Sequence, residues 1–307
     1  MQQFASLRKA QFSSSWLTIG AFDGVHLGHQ ELLRGFQSQA RAARSSSVVL
    51  SFFPHPIEIL RGPLESYYLS EPEEKARRIA AMGVDALIVQ PFDEQTSKTS
   101  AADFLHLLKQ QLGFEQLWVG HDFAMGHNRE GDIEFLRAQG AQQGYSLKVL
   151  EAVKVEGQAV SSSRIRRLLE AGEVEQAARF LGRAYALDGE VVEGAKRGRG
   201  LGIPTANLAV WAKRAPPLNG VYACRAWLGQ RSWEAVTNIG LRPTFEDQLQ
   251  APVVEAHLLD YAGGDFYGQR MRLDFVARLR DEKKFEGVDE LLIQIDRDKA
   301  QARELLR

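Results

Sequence analysis

A single cysteine, Cys224, stands in a chain of 307 residues. A lone thiol excludes an intrachain disulfide and removes any need for an oxidising compartment. In Gly220-Val221-Tyr222-Ala223-Cys224 it reads as a small buried hydrophobe on a strand. Excess charge is missing too. Lys+Arg total 38 against 39 Asp+Glu, a formal net charge of -1. No global field therefore draws nucleic acid or an anionic membrane, and any phosphate chemistry must come from local arrangements. No apolar stretch approaches the roughly 20 residues of a membrane span. The start, Met1-Gln2-Gln3-Phe4-Ala5-Ser6, lacks the basic segment and apolar run of a signal peptide. The expectation is a cytoplasmic protein with no nucleic-acid or membrane partner; oligomeric state is unknown at this level.

What is present suits two globular domains, because single hydrophobic cores stop growing at about 250–300 residues. Strands are expected at Trp16–Phe22, Ser47–Phe53, Ala86–Gln90, Gln116–Val119 and Ser146–Leu150. The unbroken run Val48-Val49-Leu50 suits a strand buried on both faces. Amphipathic helices fall between them: one carries Leu32, Leu33, Phe36 and Ala40 on one face, and others span Glu73–Met82, Ala101–Leu112 and Ile133–Gln143. Gly83, Gly113 and Gly144 follow as C-terminal caps. This alternation predicts a Rossmann-like α/β domain with a parallel sheet. Two short helices, Ser163–Ala171 and Glu173–Leu181, precede a change of pattern near Gly182. Five strands follow without intervening helices, at Ala186–Val192, Val221–Leu228, Trp233–Ile239, Val253–Asp260 and Met271–Leu279, before a last helix, Val288–Leu306. That is the pattern of a small antiparallel β-barrel with a C-terminal helix. The expected domains are 1–183 and 184–307.

Four segments have the residue types of phosphate or ligand sites. Asp23-Gly24-Val25-His26-Leu27-Gly28-His29 joins a strand to a helix start, where free N–H groups and partial positive charge favour an anion. Gly24 and Gly28 allow close backbone approach, and His26 and His29 add imidazole donors. The loop has neither the lysine of a P-loop nor a three-glycine dinucleotide pattern, and no Cys cluster or third histidine supports zinc. Ser161-Ser162-Ser163-Arg164-Ile165-Arg166 opens another helix; it suits either outer phosphates or a plain N-cap. Gly120-His121-Asp122-Phe123-Ala124-Met125-Gly126 follows a strand, where parallel sheets carry ligand loops. Gly198-Arg199-Gly200-Leu201-Gly202-Ile203-Pro204-Thr205-Ala206-Asn207 suits an anion loop or a solvated basic hairpin; its Thr205 and Asn207 are spaced to share one face of an extended chain.

Together these strings resemble the bacterial bifunctional riboflavin kinase/FMN adenylyltransferases. His26-Leu27-Gly28-His29 matches the nucleotidylyltransferase signature, and Gly20-Ala21-Phe22-Asp23-Gly24-Val25 leads into it as in that family. Phe52-Phe53-Pro54-His55-Pro56, Val254-Glu255-Ala256-His257 and Leu279-Arg280-Asp281-Glu282-Lys283-Lys284-Phe285 also match, so the resemblance covers nearly the whole chain. It implies two activities using riboflavin, FMN and ATP, with FAD as product and Mg²⁺ as assisting ion. It implies ATP contacts at Gly20, Phe22, Asp23, Gly24, His26, Gly28, His29, Ser162, Ser163 and Arg166, and in the kinase half at Gly198, Gly202, Pro204, Thr205 and Asn207. Thr205 and Asn207 would hold the metal. Flavin contacts would come from Phe52, Pro54, His55, Pro56, Asp122 and Met125, and from Arg280 and Phe285. His26, His29 and Arg166 would act in adenylyl transfer, and Glu255 would be the kinase base. Met125 stands where the family commonly has phenylalanine, and Ser163 where it has threonine. These departures keep two alternatives in view: a kinase with an impaired adenylyltransferase domain, or a flavin- or nucleotide-binding regulator without turnover.

Overall fold

Val48 and Leu50 pack into one apolar core and Val49 into another. That alternation requires helices on both faces of the strand that bears them, and each such side chain contributes about 1.5–3 kcal/mol when fully buried. The computed structural model describes residues 1–193, 205–241, 252–263 and 265–307. The chain divides into two compact units, Met1–Leu64 with Ser70–Ser161 and Glu65–Leu69 with Ser162–Arg307.

The first unit is a parallel sheet built from β1 (Gln2–Phe4), β2 (Ser15–Ile19), β3 (Ser46–Phe53), β4 (Ala86–Pro91), β5 (Phe114–Gly120) and β6 (Ser146–Leu150). Their spatial order is β1-β4-β3-β2-β5-β6. Its helices are α1 (Leu27–Ala42), α2 (Pro56–Arg61), α3 (Pro72–Ala80), α4 (Glu94–Ser97), α5 (Ala101–Leu112) and α6 (Ile133–Gln143). A small hairpin, β7 (Lys154–Val155) with β8 (Gln158–Ala159), follows. Successive strands run outward from β2 on one side and from β5 on the other, so the crevice beyond the carboxyl ends of β2 and β5 is the topological switch point, where such sheets bind ligands. Local signals set the boundaries. The Ser100 hydroxyl accepts from Asp103 N–H at the start of α5, and Gly113 and Gly144 cap α5 and α6 in the left-handed conformation. Gly83 has φ of 81° but lies beyond the cap of α3, which is Ala81.

The second unit starts with α7 (Ser162–Glu170) and α8 (Val174–Leu181). Strands β9 (Tyr185–Val192), β10 (Ala206–Val210), β11 (Gly220–Leu228), β12 (Arg231–Leu241), β13 (Pro252–Leu258) and β14 (Arg270–Arg280) close a barrel in the order β10-β13-β12-β11-β14-β9. The helix α9 (Val288–Leu306) buries Ala302 and Leu306 in a cluster with Ala223 and Ala277 of the barrel. Three features differ from the sequence expectation. Strand β2 ends at Ile19 rather than Phe22, because Phe22 takes φ of 50°. The three-residue edge strand β1 is too short to carry a pattern of its own, and β10 lies in the segment read as a phosphate loop rather than as a strand. The chain passes into the second compact unit at Ser162, ahead of the change of pattern near 183. The reason is that α8 buries Val174, Ala177, Phe180 and Leu181, and its Glu175 accepts from Arg278 N–H of β14.

Candidate active sites

The first site lies on the loop from β2 to α1. Phe22, Gly24 and Val25 all take positive φ, at 50°, 76° and 41°. For phenylalanine and β-branched valine this is strained backbone of the kind concentrated at functional sites. Side chains around the loop hold it there. Asp23 is buried and accepts from the Ser70 N–H (3.1 Å) and hydroxyl (3.3 Å), while the Ser70 hydroxyl oxygen accepts from Gly24 N–H at 3.0 Å. The Asp23 carboxylate is thus engaged in shaping the loop. His26 caps α1, its Nδ1 accepting from His29 N–H at 3.3 Å. Its ring stacks on that of His29 with centroids 3.6 Å apart, and the Phe22 ring meets His29 edge-on at 5.1 Å. A Cβ on Gly28 would lie 3.2 Å from the His26 ring, and one on Gly20 3.1 Å from Phe22. Both glycines therefore keep space for these rings. Burial, then the neighbouring His26 and Lys75, push the His29 pKa well below its usual value, so His29 is neutral at pH 7. Its Nδ1 is closed off from solvent with no hydrogen-bond partner among the described residues.

Sequence reasoning missed Lys75. It lies on α3, 7% exposed, and its ammonium donates to Ala21 O (3.1 Å), Ser51 Oγ (2.9 Å) and Phe52 O (3.4 Å). Burial lowers its pKa to about 8, against the raising influence of Asp23. The signal available was a cation four residues before Ile79, on the buried face of an amphipathic helix.

The expected flavin contacts of this unit are spread over two strand ends, those of β3 and β5. Phe52, one residue from the end of β3, meets Phe92 and Phe104, at 5.5 and 6.3 Å between ring centroids. Pro54 and His55 follow; His55 caps α2, its Nδ1 accepting from Ile57 N–H at 3.2 Å, and Pro56 is the first helical residue. Asp122 is exposed beyond β5. Met125 is 8% exposed and packs in the core on the Phe104 side of the sheet, its backbone bridging to Gly131.

Ser162, Ser163 and Arg166 belong to the second unit. Ser162 begins α7, Ser163 is exposed, and Arg166 is buried. The Arg166 guanidinium donates to Tyr67 O at 2.7 Å and lies 3.6 Å from the centre of the Tyr67 ring.

The barrel site follows from strand register. Glu255 on β13 pairs with Asn207 on β10 at one side and with Asn238 on β12 at the other. Directly paired residues point to the same sheet face, so the carboxylate stands between two amides. A cavity of about 260 Å³ is lined by Thr205, Asn238, Glu255, Arg280, Phe285 and Ile295, among others. Arg280 is held by Asp298 of α9 through a forked contact, with Nε at 3.0 and 3.1 Å from the two carboxylate oxygens and the second nitrogen at 2.7 Å. Its guanidinium lies 5.8 Å from the Phe285 ring centre. Asn238 was not among the sequence candidates; only strand pairing reveals it beside Glu255. Gly198, Gly202 and Pro204 lie outside the described residues. A separate polar cleft of about 400 Å³ by Asp188, Trp227 and Arg272 contains none of these motifs.

A parallel α/β unit with imidazoles at a helix start, followed by a closed barrel with an aligned carboxylate and amides, defines a two-site phosphate-transfer class. Comparison with known proteins narrows it. The family model described as FAD synthetase matches residues 8–164, and that described as riboflavin kinase matches 181–306. The chain is 37% identical to the bifunctional riboflavin kinase/FMN adenylyltransferase of Pseudomonas fluorescens, covering 94% of this chain and 92% of that protein. It is 36% identical to the protein of the same name from Escherichia coli K12, covering 97% and 95%. The chain belongs to the bifunctional riboflavin kinase/FMN adenylyltransferase family. A solved structure described as a macrolide-efflux protein from Streptococcus pneumoniae aligns with a TM-score of 0.89 at 28% identity, covering 98% of both chains. No helix among the described residues is long and apolar enough to cross a membrane.

Proposed function

We propose that this chain makes FAD in two steps, phosphorylating riboflavin to FMN at the barrel and adenylylating FMN through the α/β domain, with ATP consumed in each. The carrying observation is that both family models match consecutive parts of one chain. We assign adenylylation to residues 1–183 and phosphorylation to 184–307.

At the barrel, Glu255 accepts the proton of the ribityl 5′-hydroxyl as that oxygen bonds to the γ-phosphorus of ATP, while the bond to the β,γ-bridging oxygen breaks and ADP leaves. Asn207 and Asn238 are its partners in the strand register on either side. Arg280, Phe285 and the apolar wall of α9 receive the flavin. Mg²⁺ fits Thr205 and Asn207, which offer hard oxygen donors of the kind that take a nucleotide-bridging ion with few protein ligands. When bound there it would neutralise phosphate charge.

In adenylylation, an FMN phosphate oxygen attacks the α-phosphorus of ATP and pyrophosphate leaves. His26 and the neutral His29 hydrogen-bond the phosphates at the α1 N-terminus, so transition-state charge is met by preorganised donors. Gly20, Phe22, Asp23, Gly24 and Gly28 shape that loop, and Phe52, Pro54, His55, Pro56, Asp122 and Met125 are the proposed flavin side. For Ser162, Ser163 and Arg166 the phosphate role rests on the motif alone. Product analysis after incubation with riboflavin, ATP and Mg²⁺ tests the reading: FMN followed by FAD is expected. FMN alone would favour the impaired-domain alternative, and neither product would favour a regulator.

A further inference from the structure

Lys75 is a buried cation that the mechanism above does not use. Its ammonium lies between the carboxyl ends of β2 and β3. One donor reaches Ala21 O, at the entrance to the strained loop that carries His26 and His29. Another reaches Phe52 O, at the entrance to Phe53-Pro54-His55-Pro56. The third reaches Ser51 Oγ, whose hydroxyl itself donates to Ala21 O at 3.1 Å. One side chain therefore joins the loop assigned to ATP to the strand end assigned to FMN. A buried charge with three acceptors resists displacement, because leaving any of them means an unsatisfied buried group.

We propose that Lys75 is a positioning residue for adenylyl transfer, fixing the spacing between the His26–His29 loop and the Phe52–Pro56 segment so that the FMN phosphate meets the α-phosphorus. The proposal rests on the assignment of those two segments to the two substrates. Reactions of this kind are sensitive to small displacements, and an error of about 1 Å costs about 10²-fold.

The charge state of Lys75 makes the proposal readable. The ammonium grips at pH values below about 8, and deprotonation above that pH removes a donor from the clamp. The other titratable groups around it are Asp23 on the loop and His29 and His26 at the start of α1. On α3 itself Glu74 is paired with Arg78 at 2.7 Å. His29, held neutral by burial, carries no charge that could be lost near pH 8. Folding stability moves the other way. The unfolded lysine stays protonated to about 10.4, so between about 8 and that value the unfolded state binds the extra proton and stability rises with pH. Lys75 itself therefore contributes no loss of folding stability above pH 8.

The experiment compares wild type, Lys75→Met and Lys75→Arg in the full chain. It measures kcat and KM for FAD formation from FMN across pH 6.5–10, with riboflavin phosphorylation as the internal control. Expected results are an alkaline limb near pH 8 in wild-type kcat and a drop of about 10²-fold in Lys75→Met with phosphorylation retained. Lys75→Arg should recover part of that loss and show no limb near 8, since arginine stays charged throughout. If Lys75→Met fails to fold, the Lys75→Arg profile decides alone. A limb that persists in Lys75→Arg, or a Lys75→Met enzyme with wild-type kcat, overturns the proposal. Wild type that makes no FAD from FMN at any pH would instead overturn the functional assignment.

Discussion

Glu255 is aligned with Asn207 and Asn238 by strand register alone. His29 instead depends on a loop with three positive φ angles in four residues, supported by buried Asp23, Ser70 and Lys75. A barrel ladder satisfies its own backbone groups, so a side chain on it can change with little effect on the strand beneath. A loop has no ladder. Its backbone groups are met by side chains, and the same residues then serve both shape and chemistry. Substitutions in the barrel site should separate chemistry from stability cleanly, and those in the loop site should mix the two.

The sharpest test of this contrast is Glu255→Gln. Gln keeps the shape but cannot take the hydroxyl proton, so FMN production should fall by about 10²–10⁴. FAD formation from supplied FMN and the melting temperature should stay unchanged. Equal losses in both reactions would break the separation of the two sites. His29→Ala should lower FAD formation by about 10²–10³, with riboflavin phosphorylation near wild type. Unlike Glu255→Gln, it should also shift thermal unfolding, because the stacked partner of His26 and the neighbour of Phe22 is gone.

Asp298→Ala tests where the barrel site does depend on support. It strips Arg280 of its partner, a carboxylate 3% exposed. Removing one member of such a pair costs about 3–5 kcal/mol when both are buried. Because Arg280 keeps a side-chain exposure of 22%, the low end is expected, measured by denaturant titration. Riboflavin KM should rise more than kcat falls. The smallest effect is acid sensitivity. His29 is neutral in the folded chain, and its unfolded imidazole takes a proton near 6.5. Its contribution is therefore present above that pH and lost as pH falls below it, at no more than about 1.4 kcal/mol per pH unit. Unfolding followed from pH 7.5 to 5 should show a slope that His29→Gln reduces.

The elements were legible wherever periodicity was long. The bounds Ala101–Leu112, Ile133–Gln143, Ser146–Leu150 and Val288–Leu306 follow directly from patterning and caps. Edge strand β1 was not legible, because three residues carry no period and pairing with β4 alone makes them a strand. The histidine loop was visible as a motif, but the conformation of Phe22 and Val25 was not. Local preference opposes positive φ there, and only the surrounding contacts impose it.

The sequence by itself determined the two-domain order, the α/β-then-barrel class and the family, because hydrophobic period and long matching strings are properties of the chain alone. The tertiary structure decided which polar side chains serve shape. Asp23 turns to Ser70, Lys75 bridges two strand ends, Asp298 holds Arg280, and Asn238 stands beside Glu255. Each of these pairings joins residues far apart in sequence, the strand register of Asn238 and Glu255 included. Burial makes the polar contacts obligatory, since a polar group taken out of water must find its partner wherever the fold brings one.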